Sequence, residues 1–302
     1  MKKNFFRITL TILLILFVGF TGCQKKAEPA AQSQAVETQL TAVEAAVAKY
    51  YDELPSHINK INQKEFAGKV NNGDEMTVID IRTADDYAKG HVKGAVSVPW
   101  GTALYENLQY IPQSGEVFVY CYSGQTAGQA VMLLNAAGVP ARSVNLGFKW
   151  GLSKVEGVEA ILTTEAAEFD KSKTYDVNAE IAEAYKAYYE RFAEVKGTPF
   201  ASNIVSEENA KKIIDSGDES AVVVSIRSAE DYAKEHIATA SNIPWGKSMH
   251  KGFDVLPMDK KVLIYCYTGQ TAGQTVAALR LLGYDAVSIK GGMGMDANAP
   301  LG

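Results

Sequence analysis

Two cysteines occupy nearly identical polar segments of this chain. Cys121 opens the segment CYSGQTAGQ and Cys266 opens CYTGQTAGQ. Each follows a short apolar run that predicts a buried strand and precedes a stretch that predicts a helix. Ligands of open α/β sheets bind at the carboxyl ends of the strands. A thiol at such a turn meets backbone N–H groups and the positive end of a helix dipole, which stabilise a thiolate. The two segments therefore predict reactive thiols.

The other loop residues are small or polar. Glycine at positions 124 and 269 permits backbone conformations that a side chain resists. We expect the threonines at 126 and 271 to donate hydrogen bonds or cap the helix, and the glutamines at 125 and 270 to contact substrate or face water. An inert, buried cysteine is the alternative, which two matching loops disfavour. The candidate substrate-binding residues are Tyr122, Ser123, Gly124, Gln125, Thr126, Tyr267, Thr268, Gly269, Gln270 and Thr271.

The two segments belong to an internal repeat. The cysteines are 145 positions apart (266 minus 121), and the same offset carries His91 onto His236 and Trp100 onto Trp245. In the first copy, strands are predicted over 77–81, 95–98, 117–120 and 143–146, and helices over 83–89 and 125–137. Apolar strands that alternate with helices indicate a parallel sheet covered on both faces. The predicted fold class is α/β, with two domains that are each a small, mainly parallel sheet flanked by helices.

A further helix with a tyrosine pair is predicted ahead of each copy. The first spans residues 45–54 with Tyr50 and Tyr51, and the second spans 178–195 with Tyr188 and Tyr189. We expect these tyrosines to pack against the domain that they precede rather than to bind a ligand. The predicted domains are 41–160 and 201–302, joined by a linker and helix over 161–200.

The amino-terminal segment has the pattern of an export signal. A basic start is followed by an apolar run over residues 8–20, which is short for a bilayer span of roughly 20 residues. The run ends at Cys23 in a segment that resembles a bacterial lipobox, which implies lipidation of Cys23 and anchoring to the bacterial cell envelope after export. Residues 24–40 have the composition of a flexible tether. An uncleaved anchor helix is the alternative, and the choice between inner and outer membrane stays open.

Composition narrows the classes of function. The 302 residues are 47% hydrophobic and 22% charged, which fits about two globular domains. A net charge of −5 without a basic block in the domains argues against nucleic acid as a partner. Matching positions in two separate domains rarely lie within disulfide reach, so we expect free thiols. The histidines have no zinc-ligand spacing, and we expect neither metal nor cofactor; they are His57, His91, His236 and His250.

Three segments of each copy resemble the rhodanese family. In the first copy they are the stretch from Asp80 and Arg82 through Gly-His at 90–91 to Gly-Ala at 94–95, the cysteine loop, and the glycine-rich turn at 146–150, which corresponds to 291–293 in the second copy. The likeness covers residues 60–152 and 203–295. It implies sulfur transfer in which a cysteine thiolate takes sulfane sulfur, becomes a persulfide and passes the sulfur to a thiophilic acceptor. On this resemblance Cys121 and Cys266 are the nucleophiles, and the structural supports are Asp80, Arg82, His91, Arg227 and His236.

Departures from the family pattern affect the expected substrate. Members that use thiosulfate carry Arg or Lys in the active loop, whereas both loops here are uncharged. A persulfide, polysulfide or thiol partner therefore fits equally well, and the donor and acceptor stay open. The second copy has Ser225 in place of Asp80, together with two nearby changes, Glu235 and Thr239. Cys121 is accordingly the stronger candidate, and activity of both domains is not decided.

Sulfur transfer has two rival functions. A cell-cycle-type phosphatase shares the fold but needs an arginine six residues after the cysteine to hold the phosphoryl group. Ala127 and Ala272 occupy those positions and argue against it. The other rival is a non-catalytic module for sulfur or redox sensing or for docking, which predicts thiols that never acquire a cyanide-labile sulfur.

Overall fold

The computed structural model describes residues 41–294. The predicted export signal with Cys23, the predicted tether over residues 24–40 and residues 295–302 lie outside the described residues. The elements of the first half are α1 (Ala42–Asp52), β1 (Lys60–Ile61), α2 (Gln63–Asn72), β2 (Thr77–Asp80), α3 (Ala84–Lys89), β3 (His91–Val92), β4 (Ala95–Ser97), α4 (Thr102–Glu106), β5 (Val117–Tyr120), α5 (Gln125–Ala136), β6 (Ala141–Val144) and β7 (Leu162–Thr163).

The second half, preceded by its own helices, repeats the main elements of this order but, among the described residues, has no counterparts of β3, α4 and β7. Its elements are α6 (Ala179–Glu190), α7 (Phe192–Val195), β8 (Ile204–Val205), α8 (Glu207–Asp215), β9 (Ala221–Ser225), α9 (Ala229–Lys234), β10 (Ser241–Asn242), β11 (Lys261–Tyr265), α10 (Gln270–Leu281) and β12 (Asp285–Ile289). We call residues 60–163 repeat 1 and residues 204–294 repeat 2.

Each repeat is built on a five-stranded parallel sheet. The strand order is β1-β6-β5-β2-β4 in repeat 1 and, in the matching sense, β8-β12-β11-β9-β10 in repeat 2. All pairs within these sheets are parallel, and β3 and β7 form a separate antiparallel pair. The predicted α/β class with two like domains is confirmed.

The central strands explain why the cysteines lie where they do. All four residues of β5 are buried, with Val117 and Val119 in the core beneath α5 and Phe118 and Tyr120 in the core on the opposite face. Apolar residues on both faces are typical of a strand covered by helices on each side. Cys121 follows at the carboxyl end of β5, where the backbone leaves the sheet.

Several boundaries differ from the expected ones for local reasons. The helix predicted over 83–89 begins at Ala84, because Thr83 is the N-cap and accepts a hydrogen bond from Asp86 N. The strand predicted over 143–146 is Ala141–Val144, and Gly147–Gly151 forms one turn of π-helix. Strands β1 and β8 were not predicted, because two residues carry no periodic signal.

The repeats pack through their long helices α5 and α10. A Cβ atom added at Gly128 would lie 2.2 Å from Gln270 O, and one at Gly273 would lie 2.2 Å from Gln125 O. Helix backbones therefore cross in direct contact at these two glycines, on an approximate two-fold axis. Among residues 41–294, no helix combines the length and apolar character needed to cross a membrane.

The tyrosine pairs reach across this interface. Tyr50 of α1 donates a hydrogen bond to Gln274 Oε1 at 2.7 Å, and Tyr188 of α6 donates to Gln129 Oε1 at 2.5 Å. Tyr51 likewise packs edge-on against the ring of Trp245 in repeat 2. The expectation that these tyrosines pack against the domain they precede is wrong for these contacts, because each helix lies between the two repeats: α1 contacts both α5 and α10, and α6 contacts both α4 and α10.

Candidate functional site

Each cysteine lies in a turn whose backbone amides point at its sulfur. Gly124 N donates to Cys121 Sγ at 3.1 Å and Ala127 N at 3.4 Å, while Gly269 N donates to Cys266 Sγ at 3.1 Å. The sulfur also lies at the amino-terminal end of a twelve-residue helix. Amide dipoles and the helix dipole both favour negative charge at this point. The arrangement suits a sulfur that carries negative charge as a thiolate or persulfide.

The turn needs glycine for steric reasons. Gly124 and Gly269 are the helix N-caps and adopt φ angles of 90° and 85°, in the region that favours glycine. Neither cap uses a side chain, so the expected capping by Thr126 and Thr271 is not observed. Thr126 is half-buried and Thr271 is buried within α10.

A second glycine turn supports the cysteine loop. A Cβ atom at Gly147 would lie 2.5 Å from Cys121 O, and one at Gly292 would lie 2.5 Å from Cys266 O. Phe148 N donates to Cys121 O at 2.7 Å, and Met293 N donates to Cys266 O at 3.0 Å. These contacts hold the carbonyl of each cysteine away from the amides that face the sulfur.

Tyr122 and Tyr267 tie the loops to the neighbouring acidic helices. Tyr122 Oη donates to Asp86 Oδ2 at 2.5 Å, and Tyr267 Oη donates to Asp231 Oδ2 at 2.6 Å. The hydrogen bond from Tyr122, together with Lys89, lowers the pKa of Asp86 to about 2. The pKa of Asp231 is lowered for the same reason, first by Tyr267. Both tyrosines therefore brace the loop, a role that spacing along the sequence did not reveal.

The thiols themselves are almost covered. The exposed fraction is 2% for Cys121 and 1% for Cys266, whereas the Tyr122 side chain beside the first thiol is 38% exposed. Ser123 is half-buried and Thr268 is buried. A cavity of about 500 Å³ lies between α1 and the carboxyl-terminal end of α5, and neither thiol lines it. A small molecule therefore needs local opening of the loop to meet either sulfur.

The two loop glutamines do not line the sites. Gln125 Nε2 donates to Ser288 Oγ at 2.7 Å, and Gln270 Nε2 donates to Ser143 Oγ at 2.7 Å, each in the opposite repeat. Both side chains are buried. Their assignment as substrate contacts or solvent-facing groups is corrected, because the helix crossing directs them into the sheet of the other repeat.

The supports of repeat 1 form a satisfied buried network. Arg82 Nη2 bonds Asp80 Oδ2 at 2.6 Å and Gly90 O at 2.8 Å. Burial opposes the charge of Arg82, but its hydrogen bonds to Asp80 outweigh this and raise the pKa of the guanidinium. His91 is buried, stacks on Tyr87 and has a backbone oxygen 2.8 Å from each ring nitrogen. These contacts hold the acidic helix against the sheet.

The matching supports of repeat 2 are less complete. Ser225 stands where repeat 1 has Asp80, and within residues 41–294 the Nε atom of Arg227 is buried without a partner. Arg227 Nη2 still donates to Glu235 O. His236 is exposed, and one of its ring nitrogens, Nδ1, lies 2.8 Å from Tyr232 O. The scaffold around Cys266 is therefore looser than that around Cys121.

Cys121 and Cys266 are both free and buried. Within the described part of the chain, no cluster of three or more His, Cys, Asp or Glu side chains is arranged to hold a metal ion.

Two parallel α/β domains, each with a thiol in an amide-lined strand-to-helix turn, define a tandem thiol-bearing α/β protein. The sequence model of the rhodanese-like domain matches residues 62–154 and 206–294, more than half of the chain. The chain therefore belongs to the rhodanese-like family.

Individual relatives are distant. A putative sulfur carrier protein, YrkF of Bacillus subtilis (strain 168), is 24% identical over 90 residues, which are 30% of this chain and 48% of the relative. The chain thus spans about half the length of that curated relative. A thiosulfate sulfurtransferase from Pseudomonas aeruginosa is 17% identical with a TM-score of 0.32, covering 83% of this chain and 45% of the other. SseA from Escherichia coli, described with the 3-mercaptopyruvate sulfotransferases, is 16% identical with a TM-score of 0.36, covering 77% and 98%.

Proposed function

We propose that this protein is a sulfurtransferase that carries sulfane sulfur on Cys121 and Cys266. The cysteine thiolate attacks the outer sulfur of a donor such as thiosulfate, a persulfide or a polysulfide. A new S–S bond forms on the cysteine, and the donor's S–S bond breaks with its electron pair leaving on sulfite or on the donor thiolate. An acceptor nucleophile, cyanide or a thiolate, then attacks the outer sulfur and releases the cysteine thiolate.

The observation that carries this proposal is the hydrogen bonding of backbone amides to each sulfur, with two amides at Cys121 and one at Cys266. Gly124 N and Ala127 N donate to Cys121 Sγ, and Gly269 N donates to Cys266 Sγ, at 3.1 to 3.4 Å. Hydrogen bonds to an ionised acceptor are about twice as strong as neutral ones. Such a cradle therefore favours the thiolate that attacks the donor and the persulfide anion that follows.

The same proposal includes where the protein acts. The basic, apolar and lipobox-like pattern that ends at Cys23 supports export and a lipid anchor at Cys23 in the bacterial cell envelope. Residues 24–40 would then tether the two domains to the membrane. The partners would be small sulfur-containing anions or thiols and persulfides that reach this compartment, and no nucleic acid.

Mass spectrometry of the intact protein tests the proposal. The reduced protein is incubated with thiosulfate or polysulfide, and Cys121→Ser and Cys266→Ser are run beside it. We expect the mass of one added sulfur per active thiol, lost with the matching serine variant and removed by cyanide. If no donor loads either thiol in folded, reduced protein, the proposal fails.

The burial of the thiols favours one second candidate. With 2% and 1% of their surfaces exposed, Cys121 and Cys266 resemble inert core cysteines as well as carriers. In that case the protein is a non-catalytic module for sulfur or redox sensing or for docking. It predicts that neither thiol gains a cyanide-labile sulfur, so the same experiment separates the two functions.

A further inference from the structure

Lys60 is a buried lysine at the edge of the sheet of repeat 1. Its exposed fraction is 3%, although lysines are almost never fully buried unless they are paired. The hydrogen bonds that Lys60 makes within residues 41–294 involve its backbone: its N–H donates to His57 O, and its carbonyl accepts from Arg142. Burying an ammonium without a counter-charge costs free energy. The burial of the Lys60 side chain therefore needs an explanation.

The register of β1 fixes the direction of the Lys60 side chain. Lys60 lies opposite Ser143 in the parallel pair of β1 and β6, so both side chains leave the same face of the sheet. Gln270 Nε2 donates to Ser143 Oγ at 2.7 Å on that face. Gln270 is the first residue of α10 and follows Cys266 by four positions. Lys60 therefore approaches the active-site turn of the other repeat.

The electrostatics of Lys60 agree with this placement. Burial lowers the pKa of Lys60 to about 8, and negative charge at Cys266 acts in the opposite direction. The Lys60 ammonium and Cys266 therefore interact electrostatically across the interface between the repeats. At neutral pH the ammonium is still mostly protonated.

Within residues 41–294, the position at the Cys121 site that matches Lys60 holds no cation. Ile204 of β8 lies opposite Ser288, and Gln125 Nε2 donates to Ser288 Oγ at 2.7 Å, which repeats the contacts around Lys60. An isoleucine thus stands where repeat 1 supplies a lysine. Lys149, at the turn beside the Cys121 loop, is exposed and lies over the Trp150 ring, where solvent screens its charge.

We propose that Lys60 is the specificity-determining cation of the Cys266 site, supplied across the interface by repeat 1. Cys266 then accepts oxyanionic sulfur donors such as thiosulfate, although its own loop is uncharged. Cys121, whose site has Ile204 at the position that matches Lys60, favours donors without that extra charge. This difference in donor preference rests on the proposed sulfur transfer. The effect of the Lys60 charge on Cys266 can be measured even if no sulfur transfer occurs.

The test compares an anionic with a neutral thiol reagent. The protein is treated with iodoacetate or iodoacetamide at pH 7, and peptide mapping gives the rate at each cysteine. We expect Lys60→Met to lower the iodoacetate-to-iodoacetamide ratio at Cys266 by at least about fivefold and to leave the ratio at Cys121 unchanged. Lys64→Met, which removes an exposed lysine four residues away, is the matched control and should change neither ratio.

A second measurement uses the proposed reaction itself. Loading of Cys266 by thiosulfate should slow at least about tenfold in Lys60→Met, with loading of Cys121 unchanged. An unchanged reagent ratio at Cys266 overturns the role of Lys60 even if sulfur transfer occurs. If the reagent ratio at Cys266 falls but no sulfur is loaded, the role of Lys60 as a cation at Cys266 is supported and the proposed sulfur transfer is refuted. Failure of both reagents to reach Cys266 also overturns the proposal, since an anionic donor could not enter either.

Discussion

Replacing Gly128 by alanine tests whether the helix crossing holds the two sites together. The added methyl would lie 2.2 Å from Gln270 O, where ordinary contact begins at 3.4 Å. The helices must therefore separate by about 1.2 Å (3.4 minus 2.2 Å), because a backbone atom cannot turn aside as a side chain can. Overpacking of this kind costs about 1–3 kcal/mol. The weakened hydrogen bonds of the neighbouring Gln270 side chain add about 0.5–1.5 kcal/mol each.

We expect Gly128→Ala to lower the free energy of unfolding by about 2–4 kcal/mol after allowing for the better helix propensity of alanine. Urea unfolding followed by fluorescence measures this. Gly68→Ala is the matched control, since Gly68 also lies within a helix but has open space around it and should gain about 0.5–1 kcal/mol. Gly273→Ala should repeat the loss, because its methyl would lie 2.2 Å from Gln125 O. Equal stability of Gly128→Ala and Gly68→Ala would refute the close crossing.

Three further outcomes follow from the charges. Because burial lowers the pKa of Lys60 from 10.5 to about 8, the unfolded chain binds more protons between these pH values, so native stability rises with pH there by roughly 3 kcal/mol. Urea unfolding should find Lys60→Met more stable than the native protein at pH 7, and the difference in the free energy of unfolding should shrink towards pH 10. A difference that stays constant with pH contradicts this. Asp80→Asn should lose about 3–5 kcal/mol in the same assay because it leaves Arg82 buried without its partner, and a loss under 1 kcal/mol speaks against a tight pair. Tyr122→Phe should raise the pKa of Asp86 above its value of about 2 in an NMR titration, while an unmoved titration excludes that hydrogen bond as the cause.

Periodicity and turn signals in the sequence were enough to predict the fold class and the position of the cysteine loop. The apolar run 117–120 is followed by a glycine-containing turn and a helix, and the structure has this order in both repeats. The local sequence did not predict why the segment GQTAGQ occurs in both repeats. Gly128 and Gln125 are repeated because they meet the other repeat, and a contact between residues more than 100 positions apart leaves no local signal.

The same limit applied to Lys60 and to the tyrosine pairs. A single lysine in a two-residue strand looks like an ordinary surface residue until the register of β1 and β6 is known. Tyr50 and Tyr188 follow a helical pattern that indicates burial but not the surface that covers them. Partners across an interface between repeats depend on how two folded units meet, which periodicity within one unit cannot specify.

The crossing of α5 and α10 has a bearing on how a two-domain chain of this kind can originate. Gly128 meets Gln270 as Gly273 meets Gln125, so the surface of one repeat is complementary to a copy of itself. Self-complementary surfaces related by a two-fold axis are what a symmetric homodimer requires. A single-repeat ancestor with this surface could pair with itself, and fusion of two copies would then free each half to change alone. Both subunits of a homodimer carry the same residue at every position. A fused chain can instead hold Lys60 in one repeat and Ile204 at the matching position of the other.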